Sequence, residues 1–95
     1  TLTVGDIQLD PARFLATRAE VPLDLTVKEF TLLEFFLRRP DEVHSQETLL
    51  EHCWDEMTDP FTNTVRVMVS NLRRKLGSPP VIDTVPNRGY VLRSA

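Results

Sequence analysis

Val65, Val69, Leu72 and Leu76 follow one another at spacings of four, three and four, and Gly77-Ser78-Pro79-Pro80 comes immediately after them. On a 3.6-residue helix these four side chains fall in one narrow arc, and a glycine followed by two prolines ends the helix firmly. The stretch from about Asn63 to Leu76 is thus an amphipathic helix, capped by Thr62 or Asn63. Beyond it, Val81-Ile82-Asp83-Thr84-Val85 and Tyr90-Val91-Leu92-Arg93 flank Pro86-Asn87-Arg88-Gly89. Two short strands about a four-residue Pro/Gly turn predict a β-hairpin.

Two more helices precede this pair. Thr26 and Glu29 have capping-box spacing, and Leu25 and Phe30 have the spacing of a hydrophobic staple, so a helix starts at Thr26 and stops near Arg39, before Pro40. Phe30, Leu33 and Leu37 share one face while Leu32 and Phe35 lie nearly opposite; a helix apolar on two sides packs between two layers. Ser45 caps a second helix, Gln46 to about Trp54, with Glu47 in the first turn, where the helix dipole favours a negative charge, and Leu49, Leu50 and Cys53 on the inner face. Asp55 to Thr62, with Pro60, Glu56 and Asp59, reads as a connecting loop.

The first quarter holds brief apolar-rich runs: Leu2-Thr3-Val4, Ile7-Gln8-Leu9, Phe14-Leu15-Ala16-Thr17 and Val21-Pro22-Leu23. Gly5-Asp6, Asp10-Pro11 and Arg18-Ala19-Glu20 separate them as turn material. A small antiparallel sheet is the economical assignment, with Pro22 on an edge because it lacks a ladder donor. The expectation is one α+β domain over 1–95: sheet 1–24, three helices 25–76, hairpin 77–95. At 95 residues and 41% apolar content the chain can bury one modest core. One cysteine excludes an internal disulfide, no apolar run is long enough to span a bilayer, and Thr1 to Asp6 has no signal-peptide pattern. A cytosolic domain without membrane contact is expected.

The net charge of −3 argues at first against a polyanion partner. Its distribution argues the other way. From Asn63 to Ala95, Arg66, Arg73, Arg74, Lys75, Arg88 and Arg93 face only Asp83, which leaves +5, whereas Thr1 to Thr62 carries −8. A phosphate backbone responds to charge within about a Debye length, roughly 8 Å at physiological salt. The C-terminal third is therefore the candidate polyanion surface.

Opposite the apolar stripe of the third helix lie Asn63, Val67, Ser70, Asn71 and Arg74, with Arg66 and Arg73 on one flank and Thr64, Met68 and Lys75 on the other. Amide, guanidinium, hydroxyl and aliphatic groups together suit base edges: Asn pairs with adenine, Arg with guanine, and a valine sits against a thymine methyl. A merely solvated face would have no use for Val67. Arg88, at the hairpin tip beside Asn87 and Gly89, is shaped to reach a phosphate or a minor groove. Thr84 and Tyr90 near its base either donate hydroxyl bonds to phosphate or, for Tyr90, pack the hairpin onto the core.

The whole chain resembles the OmpR/PhoB-type effector domains of two-component response regulators. The resemblance rests on Leu25-Thr26-Val27-Lys28-Glu29-Phe30 with Leu32-Leu33, and on Ser45-Gln46-Glu47-Thr48-Leu49-Leu50 with Trp54. It rests further on Asn63-Thr64-Val65-Arg66-Val67-Met68-Val69 with Leu72-Arg73-Arg74-Lys75-Leu76-Gly77, and on Ile82-Asp83-Thr84-Val85 with Gly89-Tyr90. It implies a winged helix-turn-helix with an N-terminal four-stranded antiparallel sheet, a three-helix core and a C-terminal hairpin wing. It implies sequence-specific binding of double-stranded DNA for transcription regulation, with head-to-tail homodimers on direct-repeat half-sites. A loop, here Trp54 to Phe61, faces RNA polymerase in family activators, and an N-terminal receiver domain usually precedes the effector. Carried over by position, Val67, Ser70, Asn71 and Arg74 form the groove-facing row. Asn63, Thr64, Arg66, Met68 and Arg73 become backbone or flanking contacts, and Thr84, Arg88 and Tyr90 wing contacts. Arg66 stands where the family is often acidic, Ser70 and Asn71 where arginine is frequent, and Pro86 in place of a common wing arginine, so no relative's operator transfers.

Other chemistries find little support. His44 and His52 are eight apart, Cys53 adjoins His52, and no nucleophile, base and orienting acid converge, so neither an enzyme nor a metal or cofactor site is expected. His44, just before a helix cap, reads as a surface residue and Cys53 as a small core residue. A protein-docking winged helix is the alternative function; RNA binding is weaker, because the aromatic residues fall in the core and not on a stacking platform.

Overall fold

A computed structural model describes residues 1–53 and 64–94. The expected 54–61 loop, the cap at Thr62 or Asn63, and the side chains of Cys53 and Thr64 lie outside the described residues. Strands β1 (Leu2–Val4), β2 (Ile7–Asp10), β3 (Leu15–Arg18) and β4 (Val21–Pro22) form an antiparallel meander in the order β1-β2-β3-β4. Helices α1 (Val27–Arg38), α2 (Gln46–Cys53) and α3 (Thr64–Leu76) follow, and β5 (Ile82–Val85) pairs with β6 (Gly89–Leu92) as a separate hairpin. The expected architecture of sheet, three helices and wing is the one observed, with Pro22 on the sheet edge.

Strand periodicity sets which face is covered. Ile7 and Leu9 are buried and Gln8 between them is exposed; the register Leu9↔Ala16 and Ile7↔Arg18 puts Ala16 and Arg18 on the same covered face. The third strand is therefore shifted by one residue from the expected Phe14–Thr17. Phe14 instead has φ 54° and stacks its ring on Phe30, centroids 4.3 Å apart. Ala19 and Glu20, at φ 50° and 69°, make the two-residue hairpin turn alone, because both central residues of such a turn need positive φ.

Arg18, expected in a turn, is a buried strand residue. Its Nη1 donates to the carbonyls of Leu76 (3.0 Å) and Gly77 (3.1 Å), its Nη2 to that of Pro79, and its Nε to Asp6 at 3.2 Å. Burying a guanidinium is tolerable only when its donors are met in this way.

Helix α1 begins with the expected capping box: the Glu29 amide donates to Thr26 Oγ1 (3.2 Å) and the Thr26 amide to Glu29 Oε1 (2.9 Å). Phe30, Leu32, Leu33, Phe35, Phe36 and Leu37 are all buried, so the helix is covered on both sides, as its two apolar faces require. Phe36 sits fully buried at the centre, and trimming such a side chain to alanine costs roughly 3–5 kcal/mol. Ser45 caps α2 by accepting from the Thr48 amide at 3.2 Å, and Leu49 is fully buried.

The segment between α1 and α2 clips the wing to the helices. Asp41 donates its amide to Leu92 O, and His44 and Tyr90 exchange both backbone hydrogen bonds at 2.8 and 2.9 Å. A Cβ on Gly89 would lie 1.9 Å from His44 O, so this close approach needs a glycine. The pairing turns the His44 ring inward, 4.8 Å from Phe35 and 5.9 Å from Phe36, and His44 is buried where the sequence pointed to the surface. Its strand partner is remote in sequence, so no local pattern shows it. The hairpin turn is Pro86-Asn87-Arg88, with the Arg88 amide donating to Val85 O and Asn87 at φ 63°; Gly89 belongs to β6 and not to the turn.

Candidate nucleic-acid interface

The inner stripe of α3 is Val65, Val69, Leu72 and Leu76, all buried as the spacing demands. That anchorage leaves the opposite face open. Arg66, Val67, Ser70 and Arg74 are exposed there, Val67 by 52%, and Asn71 is half-buried. Arg74 Nη2 donates to Asn71 Oδ1 at 3.1 Å, a spacing of three that puts the two side chains on neighbouring turns. Met68, expected on a flank, is half-buried and packs against the core. Thr64 begins the helix, and Asn63 lies outside the described residues.

A concave space of about 700 Å³ opens between the start of α2, the flank of α3 and the wing. Arg66, Ser70 and Arg73 line it from α3, and Thr84, Asn87, Arg88 and Tyr90 from the hairpin. Ser45, Gln46 and Glu47 close it at the α2 N-terminus, where the helix dipole favours an anion and Glu47 already places one carboxylate. Of the residues singled out from sequence, the fold thus gathers Arg66, Ser70, Arg73, Thr84, Arg88 and Tyr90 around one cavity. Val67, Met68, Asn71 and Arg74 stay outside it on α3. The α2 start and Asn87 line it as well, though no local pattern marks them as binding residues. The Ser45 cap signals such a helix start, but not that it faces the wing.

Arg73 is held at the cavity wall. Its Nη2 donates to Thr84 Oγ1 and its guanidinium carbon lies 5.8 Å from the Tyr90 ring centroid, while Nε is buried with no partner among the described residues. Tyr90 itself is a core residue first: it is buried and its backbone holds His44, while it also lines the cavity. The packing role of Tyr90 follows from the strand register, which turns it inward with Leu92 and Ile82.

The basic residues differ in how they are engaged. Lys75 Nζ lies 2.6 Å from the buried Glu29 Oε1, and Arg93 pairs with Asp83 at 3.2 Å. Burial pushes the Glu29 carboxyl up, but hydrogen bonds from Lys75 and the Thr26 amide, with the Lys75 charge, outweigh it and hold Glu29 below its ordinary 4.5. Arg66, Arg74 and Arg88 have no carboxylate within ion-pair distance among the described residues. No cluster of three or more metal-ligating side chains, and no helix long and apolar enough to cross a membrane, occurs among the described residues.

Residues 20–92 match the family model described as "Transcriptional regulatory protein, C terminal". The transcriptional regulatory protein CutR of Streptomyces coelicolor is 56% identical over 84 residues, which cover 88% of this chain and 39% of CutR. The DNA-binding domain of CpxR from Escherichia coli superposes with a TM-score of 0.86 at 34% identity, covering 100% of this chain and 98% of that one. The DNA-binding domain of the response regulator AdeR, solved in complex with an intercistronic region, gives a TM-score of 0.88 at 27% identity, covering 98% and 99%. The chain spans about two-fifths of the length of the curated relatives it matches. With the winged-helix architecture, the matched model and these relatives in agreement, the chain belongs to the C-terminal domain family of transcriptional regulatory proteins, the OmpR/PhoB-type effector domains.

Proposed function

We propose that this chain binds double-stranded DNA sequence-specifically to regulate transcription, as the effector half of a two-component response regulator. One observation carries the reading: α3 and the wing bring Arg66, Arg73 and Arg88 to one concave surface, where Arg66 and Arg88 have no carboxylate partner among the described residues. Guanidinium groups without carboxylate partners on a concave surface attract a phosphate backbone, and Val67, exposed among polar neighbours on α3, suits a thymine methyl. The family is one of transcriptional regulators, and no catalytic role is assigned.

In this reading α3 enters the major groove, with Val67, Ser70, Asn71 and Arg74 toward base edges. Asn63, Thr64, Arg66, Met68 and Arg73 flank them, and the wing tip, 86–89, meets the backbone or the minor groove through Arg88, supported by Thr84 and Tyr90. Met68 and Tyr90 contribute chiefly by packing, since both side chains face the core. Arg66 and Arg88, which line the cavity from α3 and from the wing, carry the phosphate contacts. Two copies occupy direct-repeat half-sites head to tail, the 54–61 loop meets RNA polymerase, and a receiver domain precedes residues 1–95 in the cytoplasmic full-length protein.

Selection of duplexes from a random pool, followed by titration of the winners, tests this. A recovered motif repeated at one helical turn, with affinity falling steeply with salt, is expected. No enrichment at low salt, or a chemical-shift response confined to the N-terminal sheet, would sink the reading.

A further inference from the structure

The buried guanidinium of Arg18 stands outside the proposed DNA-binding set, yet it joins three parts of the molecule. Arg18 lies on β3, is only 5% exposed, and hands its two Nη groups to carbonyls at the end of α3 (Leu76, Gly77) and in the connection to the wing (Pro79). Its Nε goes to Asp6 in the β1–β2 turn, whose carboxylate is about half exposed. Leu76 O is one of the last four carbonyls of α3, which no amide within the helix can satisfy, and a cation at that terminus also meets the negative end of the helix dipole. Residues 77–81 are the whole connection between α3 and β5. Fixing Gly77 O and Pro79 O to the sheet therefore fixes where the wing departs from the helix. A second tie lies one residue earlier, where Lys75 reaches the buried Glu29 of α1.

We infer that Arg18 is a positioning residue for DNA binding: from the N-terminal sheet it sets the angle between α3 and the wing, and hence whether the base-reading row and the wing tip meet one duplex together. The inference rests on the DNA reading above. Arg18 touches no DNA in this arrangement, because its side chain is buried and each of its three nitrogens donates within the protein, to the carbonyls or to Asp6. Loss of the guanidinium releases the connection from α3 to the wing, so specific binding should suffer while non-specific attraction to the basic residues should not.

The test compares the 95-residue chain with Arg18→Met, Arg18→Lys and, as a control, Ala16→Gly, which weakens the same strand but keeps the Arg18 guanidinium. Each is titrated with the duplex selected by the parent chain and with a scrambled duplex, at a temperature where thermal unfolding shows each protein folded. For Arg18→Met a loss of roughly tenfold on the selected duplex is expected, with scrambled binding unchanged; this is the size seen for residues that act through packing and not through contact. Arg18→Lys should recover part of it, since an ammonium reaches some of the carbonyls but not all. Ala16→Gly should leave the ratio of the two affinities intact. Selected-duplex binding at the parent level in folded Arg18→Met, or an equal loss on both duplexes, overturns the inference. Should Arg18→Met not fold, Arg18→Lys alone carries the comparison: a reduced ratio supports the inference and a parental ratio overturns it. A parent chain that selects no duplex overturns the DNA reading itself, and this inference with it.

Discussion

Lys75 Nζ lies 2.6 Å from Glu29 Oε1, so a basic residue at the end of the helix proposed to meet DNA is turned back into the protein. Glu29 also closes the capping box of α1, and one buried carboxylate thereby ties the start of α1 to the end of α3. The charge ledger of the C-terminal third overstates what faces a partner, because Lys75 and Arg93 are both paired within the fold.

That tie makes stability fall in acid. Glu29 is held below its ordinary 4.5, so the unfolded chain takes up the proton first as pH falls. The contribution is fully present above about 4.5 and is lost as pH drops through the lower folded value. Glu29→Gln should cost about 1–3 kcal/mol at pH 7 and flatten the acid limb of a plot of urea stability against pH. An unchanged slope below pH 4.5 in the variant would show that Glu29 is not the group responsible.

Gly89→Ala should be strongly destabilising. The added methyl meets backbone, not a flexible side chain: His44 O at 1.9 Å and Ser45 Cα at 2.9 Å, at a φ of 143°. A loss above about 2 kcal/mol is expected, with faster hydrogen exchange at the His44 and Tyr90 amides that hold the wing. A melting temperature within about 2 °C of the parent would mean the wing is not clipped there.

Asn71→Ala and Arg88→Ala should fail in different ways. Without Asn71, base preference at one position should relax, by about 1–3 kcal/mol of discrimination, with other sequences little affected. Without Arg88, binding should weaken on every duplex and the slope of log K against log salt should become shallower by about 0.9. Equal behaviour of the two variants in a binding-site selection and salt titration would remove the division of labour between row and wing.

Val67→Ser keeps the helix and removes only an exposed aliphatic group, so folding should change by less than about 0.5 kcal/mol. The expected effect is a lost preference for thymine at one position in the selected motif. An unaltered motif would place Val67 outside the groove.

Much of this protein was legible locally. The capping box of Thr26 and Glu29, the Ser45 cap, the Gly77 stop and the inner stripe of α3 all rest on groups within a few residues of one another, and all appear where the spacing put them. The exposed Val67, Ser70 and Arg74 followed from that stripe, since a helix with a single apolar arc leaves most of its opposite face in solvent. Three residues escaped the same logic. Arg18 reads as turn material and Lys75 as a surface charge until the end of α3 comes to lie against β3 and α1. His44 reads as exposed until β6 pairs with it and swings its ring onto Phe35 and Phe36. Caps, stops and periodicity depend on short-range hydrogen bonds and on the helical repeat, so the sequence by itself determined them. Which polar side chain is buried depends on a partner 46 to 61 positions away, and only the tertiary structure decided that.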